Sequence, residues 1–209
     1  MKRILCYGDS NTWGLIPGSN PHQRYSIEKR WTGILQNLRP DLQIIEEGLC
    51  GRTTVFEDAL RPGRNGLAVL PILLESHKPL DGAVVMLGTN DCKTVYRASE
   101  YTIGKGIELC LKELEKYIPS EKILLVSPIL LGEDVWRPDK DPEFDEHSVE
   151  VARKLKDVYK EIAERRCTAF LAASDYVVAN DADCEHLDEE GHRIFAKALS
   201  DALSEIRRG

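Results

Sequence analysis

Apolar residues fall along this chain in two kinds of run, short unbroken ones and longer ones spaced three and four apart, and the two kinds alternate. Ile4, Leu5, Cys6 and Tyr7 make the first short run and Gly8 closes it, which reads as a strand ended by a turn residue. Short runs at 42–46, 81–87, 122–126 and 168–172 predict four more strands. The run at 81–87 is apolar on successive residues rather than alternate ones, the pattern of a strand covered on both faces of a parallel sheet. Helical spacing fills the intervals. It runs through Trp31, Ile34, Leu35 and Leu38 over 30–38, and through Leu67, Leu70 and Leu74 over 65–77. Pro71 in that second segment is either tolerated early in the helix or marks its true start. Ile103, Ile107, Leu111 and Leu114 predict a helix over 98–117 that Pro119 ends, and Val151, Leu155, Val158, Tyr159 and Ile162 one over 148–166. The last helix is predicted over 188–208, with Ile194, Phe195, Ala198, Leu199, Ala202 and Ile206 on one face.

Strand and helix repeated about five times predict an α/β architecture, a three-layer α/β/α sandwich around a central five-stranded parallel sheet. The loops at 15–29 and 56–64 are rich in prolines, turn residues and charge. The stretch 129–146 is the longest irregular one and follows a predicted strand, so it is expected at the edge of the sheet where ligands gather.

Bulk properties narrow the function. A chain of 209 residues that is 42% hydrophobic is expected to fold as one domain, 1–209. Its formal charge of −7 gives no basic footprint for nucleic acid or an anionic membrane. No apolar run reaches the ~20 residues of a membrane helix, and the segment before the first strand is too short for a secretory signal, so a soluble cytoplasmic protein is expected. The six cysteines, Cys6, Cys50, Cys92, Cys110, Cys167 and Cys184, show no CxxC spacing and read as reduced, small apolar residues.

Candidate chemistry begins with Ser10, at the carboxyl end of the first strand. Asp9, Ser10, Asn11 and Thr12 also match a plain turn and helix cap, so Ser10 gains weight only from what answers it elsewhere. Gly48-Leu49-Cys50-Gly51-Arg52 and Gly88-Thr89-Asn90-Asp91 each follow a predicted strand, and Asp183-Cys184-Glu185-His186 precedes the last helix. A serine, two sources of hydrogen-bond donors, an acid and a histidine are the parts of acyl transfer to water. Of five histidines, His186 is the candidate base, because Asp183 three residues earlier can hold its second ring nitrogen. His192 is its rival, yet it falls inside the helix, where Asp188 is the expected N-cap and Glu189 and Glu190 are dipole partners. His22, His77 and His147 sit beside no consistent acid and read as surface residues. Asp9 is expected to brace its loop by accepting backbone N–H groups.

These four blocks, in this order, resemble the SGNH (GDS-type) hydrolases, and GDSNTWG, RWTG, EEGLCGRTT and MLGTND resemble the small arylesterase branch of that family. The resemblance implies a flavodoxin-like sandwich and a serine esterase that hydrolyses, and can transfer, short acyl groups such as acetate from aryl or small alcohol esters. It implies an oxyanion hole in which Asn90 and a backbone N–H of the second block join the N–H of Ser10. Gly51 is chosen there over Gly48, although either could serve. It also implies a homo-oligomer, with a contact expected at 129–146. Trp13, Arg52 and Trp136 are candidates for the pocket wall. No cofactor and no metal are expected: zinc and P-loop signatures are missing, the GxSxG elbow is broken by Thr12, and GxGxxG by Leu109. Two alternatives stay open, a carbohydrate O-acetyl esterase and, in another class, a phosphate or flavin module built on the loop after the first strand.

Overall fold

The computed structural model describes residues 1–206, the last two by their backbone alone. Five strands, β1 (Lys2–Gly8), β2 (Leu42–Gly48), β3 (Gly82–Met86), β4 (Ile123–Ser127) and β5 (Ala169–Ala172), form one sheet in the order β2-β1-β3-β4-β5. Every pairing is parallel, as expected of strands joined through helices. In register, Gly8 of β1 stands between Gly48 of β2 and Met86 of β3. The carboxyl ends of these three strands therefore reach one edge together. The chain reverses its direction of travel across the sheet between β1 and β3, and that switch point opens a crevice.

Alternation along the strands divides the core in two. Leu5, Tyr7, Val85 and Leu125 face a layer made by α3 (Gly66–His77), α4 (Glu100–Leu114) and α5 (Glu146–Arg166). Ile4, Cys6, Val84, Met86 and Leu124 face α2 (Trp31–Leu38) and α6 (Glu189–Ile206). This is the expected three-layer sandwich. All five residues of β3 are buried, as its unbroken apolar run requires.

Helix ends follow their caps more closely than the apolar spacing does. Ser99 caps α4 by accepting the Thr102 N–H, and α5 begins before its apolar stripe because Asp145 and Ser148 form a capping box. Pro71 lies inside α3, five residues past its start, with Asn65 as the N-cap. Asp188 caps α6 by accepting the Gly191 N–H at 2.8 Å. The predicted extension of that helix to Arg208, and the placement of the Ile206 side chain, lie outside the described residues. Among the described residues no helix is long and apolar enough to cross a membrane, and the six cysteines are free thiols.

Candidate active site

Ser10 is the first residue of α1 (Ser10–Trp13), a single turn entered directly from β1. Asp9 caps that turn, its Oδ1 accepting the Asn11 N–H at 3.0 Å. The N–H of Ser10, one of the first-turn groups without a partner inside the helix, has no partner among the described residues. The segment before α6 comes to meet it. Nε2 of His186 lies 2.8 Å from Oγ of Ser10, and Nδ1 lies 2.8 Å from Oδ2 of Asp183. Asp183 is itself held in place: Oδ1 accepts the N–H groups of Glu185 and His186, each at 3.0 Å, and Oδ2 that of Gly18 at 2.9 Å.

Asn11, which as a sequence residue looked like part of a turn, joins the two ends of the chain. Its Nδ2 donates to the Glu185 carbonyl at 3.2 Å, and its Oδ1 accepts the Leu187 N–H at 2.9 Å. The indole N–H of Trp31 donates to the Asn11 carbonyl at 3.1 Å. His186 is thus gripped through the backbone on both sides by the residue next to Ser10. A buried amide with paired partners has no periodicity to betray it, so only its place beside Ser10 could have pointed there.

The electrostatics keep Asp183 ionised and make the His186 ring a stronger base than a free imidazole. Burial alone would raise the Asp183 carboxyl, but the His186 hydrogen bond and charge and the two N–H donors hold it at about 2. Burial pushes the His186 ring down, and the carboxylates of Glu185, Asp183 and Asp9 outweigh it, raising the ring to about 9. Burial raises Asp9 to about 7 and also lifts Glu185 above the usual carboxylate range. Once the ring is neutral, an ionised Asp183 on Nδ1–H fixes the tautomer that turns the Nε2 lone pair toward Ser10.

A cavity of about 530 Å³ opens over Ser10 and His186, and Gly51 and Asn90 line it with them. Gly51 has φ of +80°, a left-handed conformation suited to glycine, and its N–H has no partner among the described residues. Gly48 stands elsewhere: a Cβ there would fall 2.2 Å from the Trp13 nitrogen, so this glycine lets β2 close on α1. One Asn90 amide hydrogen goes to the Arg52 carbonyl at 3.2 Å, and the other has no partner among the described residues. Asp91, fully buried, accepts the Thr54 N–H at 3.0 Å on both oxygens and also binds its hydroxyl. That contact draws the second and third blocks together.

The three expected pocket residues are not in the cavity wall. Arg52 turns inward, donating to the carbonyls of Gly8 and Glu47 and lying 4.3 Å from the centre of the Tyr7 ring. Buried strand-end carbonyls need donors, and a guanidinium supplies several at once. Trp13 packs under the Arg24 guanidinium, 5.0 Å away. Trp136, 36% exposed, borders a separate surface hollow with Phe144 and His147. The wall is instead polar, drawn from Arg61, Lys93, Lys140, Asp141, Glu143 and Glu185. These residues come from separate loops, and no spacing in the sequence groups them.

The other histidines divide. His192 is fully buried in the core, its Nδ1 accepting the Trp31 N–H at 3.3 Å. His77 does meet an acid, with Nε2 2.7 Å from Glu47 Oε1, and His147 lies 3.6 Å from Glu150 one turn along α5. Neither expected isolation holds, because tertiary packing brings Glu47 to His77 and helical spacing brings Glu150 to His147. His22 lines the cavity mouth.

A model of the GDSL-like lipase/acylhydrolase family matches residues 6–194. Among solved structures, the chain is similar to a carbohydrate acetylesterase from Sinorhizobium meliloti, at 34% identity and a TM-score of 0.90, over 99% of this chain and 100% of that one. It is also similar to an aryl esterase from M. smegmatis, at 33% identity and a TM-score of 0.89, over 99% of this chain and 100% of that one. No curated protein sequence matches it.

Proposed function

This chain belongs to the GDSL-like lipase/acylhydrolase family, and on that footing we propose that it is a serine esterase that hydrolyses short-chain acyl esters through an acyl-enzyme on Ser10. The observation that carries the reading is the unbroken series of hydrogen bonds from Ser10 through His186 to Asp183, ending in a cavity. As Ser10 Oγ bonds to the acyl carbon, its proton passes to His186 Nε2, and Asp183 stabilises the imidazolium. The carbonyl oxygen, now negative, receives the N–H groups of Ser10 and Gly51 and the second amide hydrogen of Asn90. Collapse expels the alcohol, which takes the proton from Nε2. A water molecule then repeats the cycle on the acyl-serine and releases the acid. An alcohol in place of that water completes acyl transfer.

A second reading concerns the alcohol. The charged wall of the cavity favours a hydroxylated leaving group, as in carbohydrate O-acetyl esters, over a bare aryl one. A flavin or phosphate module has no need of a histidine and an acid aligned on Ser10. Cytoplasmic location and homo-oligomeric assembly belong to the same proposal. The exposed Trp136 in the 129–146 loop supports a subunit contact there, and light scattering at several protein concentrations tests it.

The test of the reading is a burst of p-nitrophenol from p-nitrophenyl acetate, followed by slower turnover. Ser10→Ala is expected to abolish both phases. Undiminished turnover in that variant removes the proposal.

A further inference from the structure

Glu185 stands between the acid and the base of the site, yet the mechanism above gives it nothing to do. Its backbone is fixed at both ends, the N–H donating to Asp183 Oδ1 at 3.0 Å and the carbonyl accepting from Asn11 at 3.2 Å. The residue is only 4% exposed and lines the cavity. Among the described residues, no hydrogen bond reaches its carboxylate. His186 Nε2 stands 3.8 Å from Oε1, and the charges of Lys93, Asp141 and Asp183 also act on the carboxylate.

A buried carboxylate without a hydrogen bond is costly and is normally satisfied by something. The cations of the wall are already engaged. Lys93 binds Glu143, Arg61 holds Asp58 at 2.7 Å and Glu143 at 3.1 Å, and Lys140 donates to the Asp181 carbonyl and to Cys184 Sγ. The carboxylate of Glu185 lines the cavity, where a donor brought by the ligand can replace solvent as its partner.

Position says which part of the ligand. The leaving alcohol oxygen must come within a hydrogen bond of His186 Nε2, about 3 Å, to collect its proton. A hydroxyl on the second carbon from that oxygen is three bonds from it and, in the gauche arrangement, lies on the same side. It therefore falls within reach of a carboxylate 3.8 Å from the same nitrogen.

We propose that Glu185 is the specificity-determining residue for the alcohol side of the ester, accepting a hydrogen bond from a hydroxyl on the carbon next to the one that carries the acyl group. The preferred substrates are then acyl esters of polyols rather than of simple alcohols. An ester without that hydroxyl leaves the buried carboxylate unpaired in the transition state, and sites of this kind discriminate strongly against such analogues. The inference rests on the esterase reading and adds the identity of the leaving group to it.

The test compares glycerol monoacetate with propyl acetate, which share a three-carbon leaving group and differ in its hydroxyls. Acetate release is followed for the wild type, Glu185→Gln and Glu185→Leu at one pH. Because the readout is the ratio of kcat/KM for the two esters within each protein, a general loss of activity or a shift in His186 cancels. The wild type is expected to favour glycerol monoacetate, and Glu185→Leu to reduce that ratio by roughly 10- to 100-fold. Glu185→Gln, which retains an acceptor, is expected to lie between them and carries the test if the leucine variant does not fold. A wild-type ratio near one, or the same ratio in all three proteins, overturns the proposal. A wild type inactive on both esters and on p-nitrophenyl acetate instead overturns the esterase reading beneath it.

Discussion

Oγ of Ser10 and Nε2 of His186 lie 2.8 Å apart although 176 positions separate them in the chain. The contact is made by the fold rather than by either local segment. β1 delivers Ser10 to the crevice at the switch point, and Asn11 holds the Glu185 and Leu187 backbone on either side of His186.

If Ser10, His186 and Asp183 act as a unit, their losses do not add. His186→Ala is expected to depress kcat about as far as Ser10→Ala, and the double variant no further. Asp183→Asn, which preserves shape but not charge, is expected to lower kcat by about 10,000-fold. Steady-state rates with p-nitrophenyl acetate check this, and a double variant whose effect equals the product of the singles contradicts it.

Asn90 lines the cavity with Ser10, and beyond its bond to the Arg52 carbonyl one amide hydrogen has no partner among the described residues. A donor that meets charge only in the transition state contributes to kcat and little to KM. Asn90→Ala is expected to lower kcat by roughly 100- to 1,000-fold, about 2.7–4 kcal/mol of barrier, with KM nearly unchanged. A rise in KM at constant kcat would assign Asn90 to substrate binding instead.

The base must be neutral to accept the Ser10 proton, and three carboxylates, those of Glu185, Asp183 and Asp9, raise the His186 ring to about 9. Activity of the free enzyme is therefore expected to rise with pH and level off only above that value. Removing one negative charge eases deprotonation, so Glu185→Gln is expected to move the acidic limb of the kcat/KM profile down by roughly one unit. A limb that stays in place, or moves up, contradicts this electrostatic account.

His192 carries a different pH dependence. Burial holds its ring neutral in the folded protein, lowering it from 6.5 to about 4, and Nδ1 is engaged with the Trp31 N–H. Below pH 6.5 the unfolded chain takes up a proton that the folded one refuses, so this residue makes stability fall with acid. His192→Gln removes that dependence. The stability difference between wild type and variant is expected to shift by about 2 kcal/mol against the wild type between pH 7 and pH 5. His186, raised rather than lowered, works in the opposite sense and cancels because both proteins contain it. Urea unfolding at the two pH values measures the shift.

The architecture was legible because burial repeats with a period. The unbroken run of β3 and the apolar stripes of α4 and α5 state their own packing, and Ser10, Asn90, Asp183 and His186 occupy the ends of elements that this pattern locates. The cavity wall was not legible for the opposite reason. Arg52 turned to the Gly8 and Glu47 carbonyls, and Trp13 to Arg24, according to partners that only the folded chain supplies. Lys93, Glu143 and Arg61 are drawn from three separate segments into one charged cluster. Asn11 and Glu185 lay inside the recognised blocks, and neither a buried amide clamp nor an unpaired carboxylate has a spacing that announces it.

The central claim is that Ser10 Oγ becomes covalently acylated. Mass spectrometry of the intact protein and its peptides, after brief exposure to p-nitrophenyl acetate and acid quenching, tests this directly. The expected result is a single acetyl addition on the peptide that carries Ser10, lost in Ser10→Ala and slow to clear in His186→Ala if it forms there at all. Turnover with the acetyl group found only on another residue, or with Ser10→Ala labelled as fully as the wild type, would contradict the account.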